Sequence, residues 1–199
     1  MRFLILTVFL SVLFMIPALA ISPMGPDMVR EAQEYGLLKS KSPLQEFLLP
    51  WTSYEEQAVK LDDTSERSYL YTSFLLLATD AREKSQAGHA DEMTDSKKLL
   101  DDYSGIISFS TVLFGKEPGF VKDSYAVIRQ GQAVIKPCQA AVAPESEKII
   151  TDEGQTFYKE HCYLYFYEQD LSPERPIMLS ILTTDQKTHN FYFDLSKIK

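Results

Sequence analysis

The sequence predicts a mainly β protein, an antiparallel sandwich-like domain with an N-terminal helix and one short helix in a crossover. Three observations lead there. Apolar and polar residues alternate with period two over residues 107–113 and 162–167, turn residues punctuate short apolar runs through the second half, and nothing resembles the strand–helix–strand alternation of a parallel sheet. An α+β arrangement, with helices over one face of an antiparallel sheet, is the alternative.

The first element is an address. Arg2 precedes an apolar run from Phe3 to Ile16 broken only by Thr7 and Ser11, and Pro17-Ala18-Leu19-Ala20 ends it in small residues. This is the pattern of a secretory signal over residues 1–20, cleaved after Ala20. An uncleaved N-terminal membrane anchor is the rival reading, because no charge interrupts Phe3 to Ile21 and a spanning helix needs roughly 20 apolar residues. The expected location is therefore secreted, periplasmic or cell envelope, with no membrane span after cleavage.

Residues 21–42 form a helical segment. Met28, Val29, Ala32 and Tyr35 recur at helical spacing, Pro26 suits the first turn, and Gly25 and Gly36 read as start and stop. Residues 43–199 form one β-rich domain. Leu44 to Trp51, cut by Pro43 and Pro50, fits a short strand or a helical turn equally. Ser68 to Thr79 is apolar on both faces, which suits a strand buried in mid-sheet, although period alone leaves a buried helix open. Asp80 to Asp95 turns polar and reads as a surface excursion. A short helix follows, capped by Thr94 or Asp95, with Leu99, Leu100 and Tyr103 on one face and Gly105 as terminator.

Ile107, Phe109, Thr111 and Leu113 then mark a half-buried strand. Tyr125–Arg129 and Ala133–Lys136 flank Gln130-Gly131-Gln132, a hairpin signal, whereas residues 140–154 lack periodicity and read as loop. The last hairpin permits a register argument. A three-residue loop near Thr184-Asp185-Gln186 sets Ile177, Leu179 and Ile181 opposite Phe193, Phe191 and His189, so both apolar sets share a face. Gln186 or Lys187 must then adopt the left-handed conformation without being glycine.

Composition narrows the partners. The chain holds 28 acidic and 20 basic residues among 199; removing residues 1–20, whose only charge is Arg2, leaves 179 residues at a formal charge of −9. That disfavours nucleic acid and anionic lipid. Cys138 and Cys162 are the only cysteines, and an exported chain with an even count invites one disulfide, worth roughly 3 kcal/mol in the chain-entropy account.

Catalytic signatures do not emerge. His89, His161 and His189 show no metal-ligand spacing, so no metal and no cofactor are expected; no G-x-S-x-G or phosphate-cradling glycine run occurs. The carboxylate pairs Asp62-Asp63 and Asp101-Asp102 read as solvated faces or helix ends. His189, on the apolar side of its strand near a sheet edge, reads as a histidine hydrogen-bonded at the rim, and is the first suspect should the protein be an exported hydrolase. Tyr163, Tyr165 and Tyr167 are the one repeated chemical pattern, three phenols on one face of a strand, to which Tyr69 and Tyr71 add if their strand is adjacent. Such a face suits an extracellular protein or a cell-envelope glycan. The functional expectation is an exported, non-catalytic binding protein.

Overall fold

The computed structural model describes residues 24–61, 64–89, 96–151 and 154–199. The signal segment, the Thr94 and Asp95 caps and the Asp62-Asp63 pair lie outside them. Sheet A runs β1 (Thr52–Tyr54), β2 (Arg67–Tyr71), β3 (Ile106–Gly115) and β8 (Thr156–Tyr167), and the far edge of β8 is shared by β7 (Glu147–Ile150) and β6 (Gln139–Val142). Sheet B runs β10 (Thr188–Phe193), β9 (Ile177–Leu182), β4 (Tyr125–Gln130) and β5 (Ala133–Ile135). All pairings are antiparallel.

The sandwich core follows from strand parity. On β3 the odd positions Ile107, Phe109 and Leu113 point toward sheet B, joined by Leu70 from β2 and Cys162, Leu164 and Phe166 from β8. Ile128, Leu179, Ile181, Phe191 and Phe193 answer from sheet B. Phe109 meets Phe166 and Phe193 edge to face, with centroids 5.6 and 5.4 Å apart, the geometry that aromatic quadrupoles favour. The two sheets also touch at one corner, where Glu55 bridges to Phe191 and the Glu56 N–H donates to the Asn190 carbonyl.

The last hairpin has the expected register. Ile181, Leu179 and Ile177 face His189, Phe191 and Phe193, the loop is Thr184-Asp185-Gln186, and Gln186 takes φ 64°. The Gln130-Gly131-Gln132 hairpin also forms, with Gln130 paired to Ala133 and Gly131 at φ 60°.

The outer face of sheet A carries a helical layer, so the sandwich and the helix-covered sheet coexist in one body. Helix α1 (Pro26–Leu38) crosses α3 (Ser73–Ala87), with α2 (Leu44–Leu48) and α4 (Ser96–Asp102) beside them. A second core lies beneath: Ala32, Phe47, Trp51, Tyr69, Phe74, Leu77, Ala78 and Val112 are buried together. Among the described residues, no helix is long and apolar enough to cross a membrane.

Four expectations need correction. The run from Ser68 to Thr79 is not one strand: it breaks at Thr72, whose side chain accepts the Leu75 N–H and caps α3. The helix then absorbs the supposed excursion as far as Ala87, with Phe74, Leu75, Leu77, Ala78 and Ala81 as its buried stripe, and Gly88 ends it at φ 81°. Gly36 does not stop α1, which runs on to Leu38; it is where α1 rests against the backbone of α3, a Cβ there standing 2.2 Å from the Ala78 carbonyl oxygen. Residues 140–154 hold β6 and β7, edge strands so exposed on both faces that no hydrophobic alternation marks them.

Candidate functional site

The tyrosines gather on the outer face of sheet A. Tyr163, Tyr165 and Tyr167 project opposite to Cys162, Leu164 and Phe166, as the alternation requires. β2 is not adjacent to β8, because β3 lies between them, yet its tyrosines join the same face. Register sets Tyr69, Ser110 and Tyr163 in one row across the sheet, and Tyr71, Ser108 and Tyr165 in the next. Strands lie about 4.8 Å apart, so the tyrosine columns stand about 10 Å apart across a floor of serines.

The two walls differ. Tyr69 is sealed beneath the helices and its hydroxyl accepts from Arg67 Nε at 2.6 Å, which with the Arg67 bond to the Ser65 carbonyl closes one end of the trough. Tyr71 is half-buried, and burial, followed by neighbouring Tyr69, Glu83 and Tyr163, raises its phenol above the usual value. On β8, Tyr163 and Tyr167 are open to solvent at 37% and 49%. His161 continues this face beyond Tyr163; burial, then Lys159 and Arg67, pushes its imidazole below the ordinary value.

Beyond Tyr167 the face runs into an open cleft of about 530 Å³ bordered by Ser104, Gly105, Tyr167, Glu168, Gln169 and Pro173. Burial raises the Glu168 carboxyl. A ring, a hydroxyl and a carboxyl that keeps its proton further up the pH scale thus adjoin. They can stack on an apolar ligand face and both donate to and accept from its hydroxyls.

His189 is more deeply set than a rim position implies. It is buried at the corner where the sheets meet, Nδ1 lying 2.6 Å from Glu66 Oε2 and Nε2 3.2 Å from Thr183 Oγ1. A carboxylate, an imidazole and a hydroxyl in that order match the geometry that activates a nucleophile. Here the hydroxyl is otherwise engaged. Thr183 has one proton and its nearest acceptor is Asp185 Oδ1 at 2.6 Å. Burial would raise the Asp185 carboxyl, but hydrogen bonds from Thr183 and Lys187 outweigh it and hold it below its usual value, so a carboxylate claims that proton. The Thr183 proton is thus not offered to His189 Nε2, and Thr183 is itself buried. Glu66 Oε1 also accepts the Phe114 N–H at 3.0 Å, tying the corner to β3.

The expected disulfide is not formed, and both thiols are free. β6 sets Val142 opposite Cys162, so Cys138 lies four residues away along the strand, an offset of about 13 Å where a bridge tolerates Cα atoms no more than about 7 Å apart. Cys138 instead donates to the Tyr165 carbonyl at 3.2 Å. Burial pushes the Cys162 thiol up to about 12. Among the described residues, no group of three or more His, Cys, Asp or Glu is arranged to hold a metal. Asp101 and Asp102 are exposed at the end of α4.

No family model and no curated protein matches the chain. Among solved structures it is similar to an IgNAR antibody domain C1, with a TM-score of 0.29 and 9% identity over 45% of this chain and 76% of that one. The architecture described above rests on the strand pairing rather than on that likeness.

Proposed function

We propose that the protein is an exported, non-catalytic binding domain whose tyrosine face takes a cell-envelope glycan. The observation that carries this reading is the row of exposed Tyr163, half-buried Tyr165 and exposed Tyr167, running beside the serine floor into the cleft at Glu168. Glycans present apolar ring faces and a fringe of hydroxyls, which phenol rings, serines and a carboxyl match together. A protein ligand ordinarily needs an anchor filling a desolvated pocket, and a shallow polar-edged trough offers none. Export is supported by the character of residues 1–20.

The test is binding of purified envelope polysaccharide to the wild type and to Tyr163→Ser/Tyr167→Ser. Both side chains are solvent-facing, so binding should be lost while the melting temperature moves by no more than about 2 °C. A melting temperature that collapses would make the tyrosines structural. Intact binding in a folded variant would remove them from the site. N-terminal sequencing of chain recovered from envelope and medium tests the export half, and a chain starting at Ile21 is the expected result.

Hydrolysis through Glu66, His189 and Thr183 is the competing reading, and the buried, already bonded Thr183 hydroxyl counts against it.

A further inference from the structure

A second recess lies at the helical end of the molecule, away from the exposed tyrosines of β8. The sole tryptophan, Trp51, lines a cleft of about 450 Å³ with Phe74 and Tyr35, while Glu31 and Glu34 of α1 stand at its rim and residues 197–199 close its remaining side. Phe74 stacks on Trp51 with centroids 5.8 Å apart, and Tyr35 meets Trp51 edge-on at 5.4 Å. Volumes of this order are typical of small-molecule sites.

The cleft already holds a cation. Lys199 Nζ lies 5.8 Å from the Phe74 centroid and donates to the Glu31 carboxylate. The main chain of Lys199 is held independently, its carbonyl oxygen accepting from Trp51 Nε1 at 2.9 Å and from Thr72 Oγ1 at 2.6 Å. The side chain can therefore leave without the main chain moving. Its ion pair faces solvent, with Lys199 54% and Glu31 49% exposed, and exposed pairs are weakly held. Lys197, which also borders the cleft, has its own carboxylate partner in Asp194 at 2.6 Å, and Glu34 is only loosely engaged, 3.9 Å from Arg30.

We propose that this cleft is a binding site for small organic ammonium ligands, those with a quaternary trimethylammonium head above all, and that Lys199 occupies it in cis as a tethered competitor. An aromatic wall facing two carboxylates attracts a cation twice over, through the ring quadrupole and through charge. A quaternary head gives up no N–H hydrogen bonds to water on entering, whereas the Lys199 ammonium does.

Tetramethylammonium chloride is the probe, sodium chloride at equal ionic strength the control, and Trp51 emission the built-in reporter. Wild type should respond saturably. Lys199→Ala, which spares the carbonyl contacts, should bind about threefold to tenfold more tightly once the tethered competitor is gone. In that background Glu31→Gln/Glu34→Gln should weaken binding about fivefold, with far-UV circular dichroism unchanged. Broadening of the probe's methyl resonance by the Lys199→Ala protein gives a readout independent of fluorescence. No broadening, a response that sodium chloride reproduces, or equal affinity in all variants each overturns the proposal.

Discussion

Replacing Gly36 by alanine tests the helical layer most directly. An added Cβ stands 2.2 Å from the Ala78 carbonyl oxygen and 2.9 Å from the Ala81 Cβ, and the first of these is backbone that no rotamer change can move. Ordinary contact begins at 3.4 Å, so α1 must withdraw from α3 by about 1.2 Å. A gap of that size forfeits roughly half of the dispersion attraction along the contact, and overpacking of this kind costs about 1–3 kcal/mol or somewhat more. Alanine returns about 1 kcal/mol because glycine is the poorer helix former. Because the clash is with backbone the cost lies at the upper end of that range, so the net expectation is a loss of about 2 kcal/mol, or about 4–8 °C in melting temperature for a domain of this size. Urea denaturation followed by Trp51 emission reads it, since Trp51 shares the buried cluster with Ala32 and Ala78. An alanine variant as stable as wild type, or more so, would refute the close crossing and with it the account of why α1 continues past Gly36.

Three further outcomes follow from the same structure. Iodoacetamide at pH 8 should label Cys138 and spare Cys162 until the protein unfolds, and intact mass without reductant should show both thiols; a two-unit mass deficit would contradict the strand register. Glu66→Ala should cost about 1–3 kcal/mol by leaving His189 Nδ1 and the Phe114 N–H without their partner at the sheet corner, while Glu66→Gln, which keeps the Phe114 bond, should cost clearly less; equal losses in thermal denaturation would show that the Phe114 bond contributes nothing. Glu168 has a carboxyl raised by burial, so the native state keeps its proton where the unfolded chain has already lost it. Its effect on stability is therefore most favourable below the ordinary carboxylate value and is lost as pH rises through the raised value, and Glu168→Gln should remove that part of the slope in melting temperature between pH 4 and pH 7.

Much of the β architecture was legible because period-two patterns report which side chains share a face. The three-residue loop, the pairing of Ile181 with His189 and the left-handed Gln186 all follow from asking which register buries both apolar sets. The tyrosine row of β8 was visible for the same reason. Its partners were not, because strand order is a long-range property: nothing local says that β3, with Ser108 and Ser110, intervenes between Tyr69 and Tyr163. The split at Thr72 left a faint signal, a threonine before an apolar run with helical recurrence at Phe74, Leu77, Ala78 and Ala81, masked by the strand-like Tyr69-Leu70-Tyr71 ahead of it. β6 and β7 left none, since edge strands exposed on both faces have no buried side to write into the sequence.

The sequence by itself determined the antiparallel sandwich, the register of the last hairpin and the face each β8 side chain takes, since these depend on alternation and turn chemistry within one stretch of chain. Only the tertiary structure decided that Glu66 reaches His189 from 123 positions away, that Lys199 meets Glu31 and Phe74, and that Cys138 and Cys162 stay apart. Those contacts join elements distant along the chain, and they are selected by how the layers stack rather than by any pattern that neighbouring residues can carry.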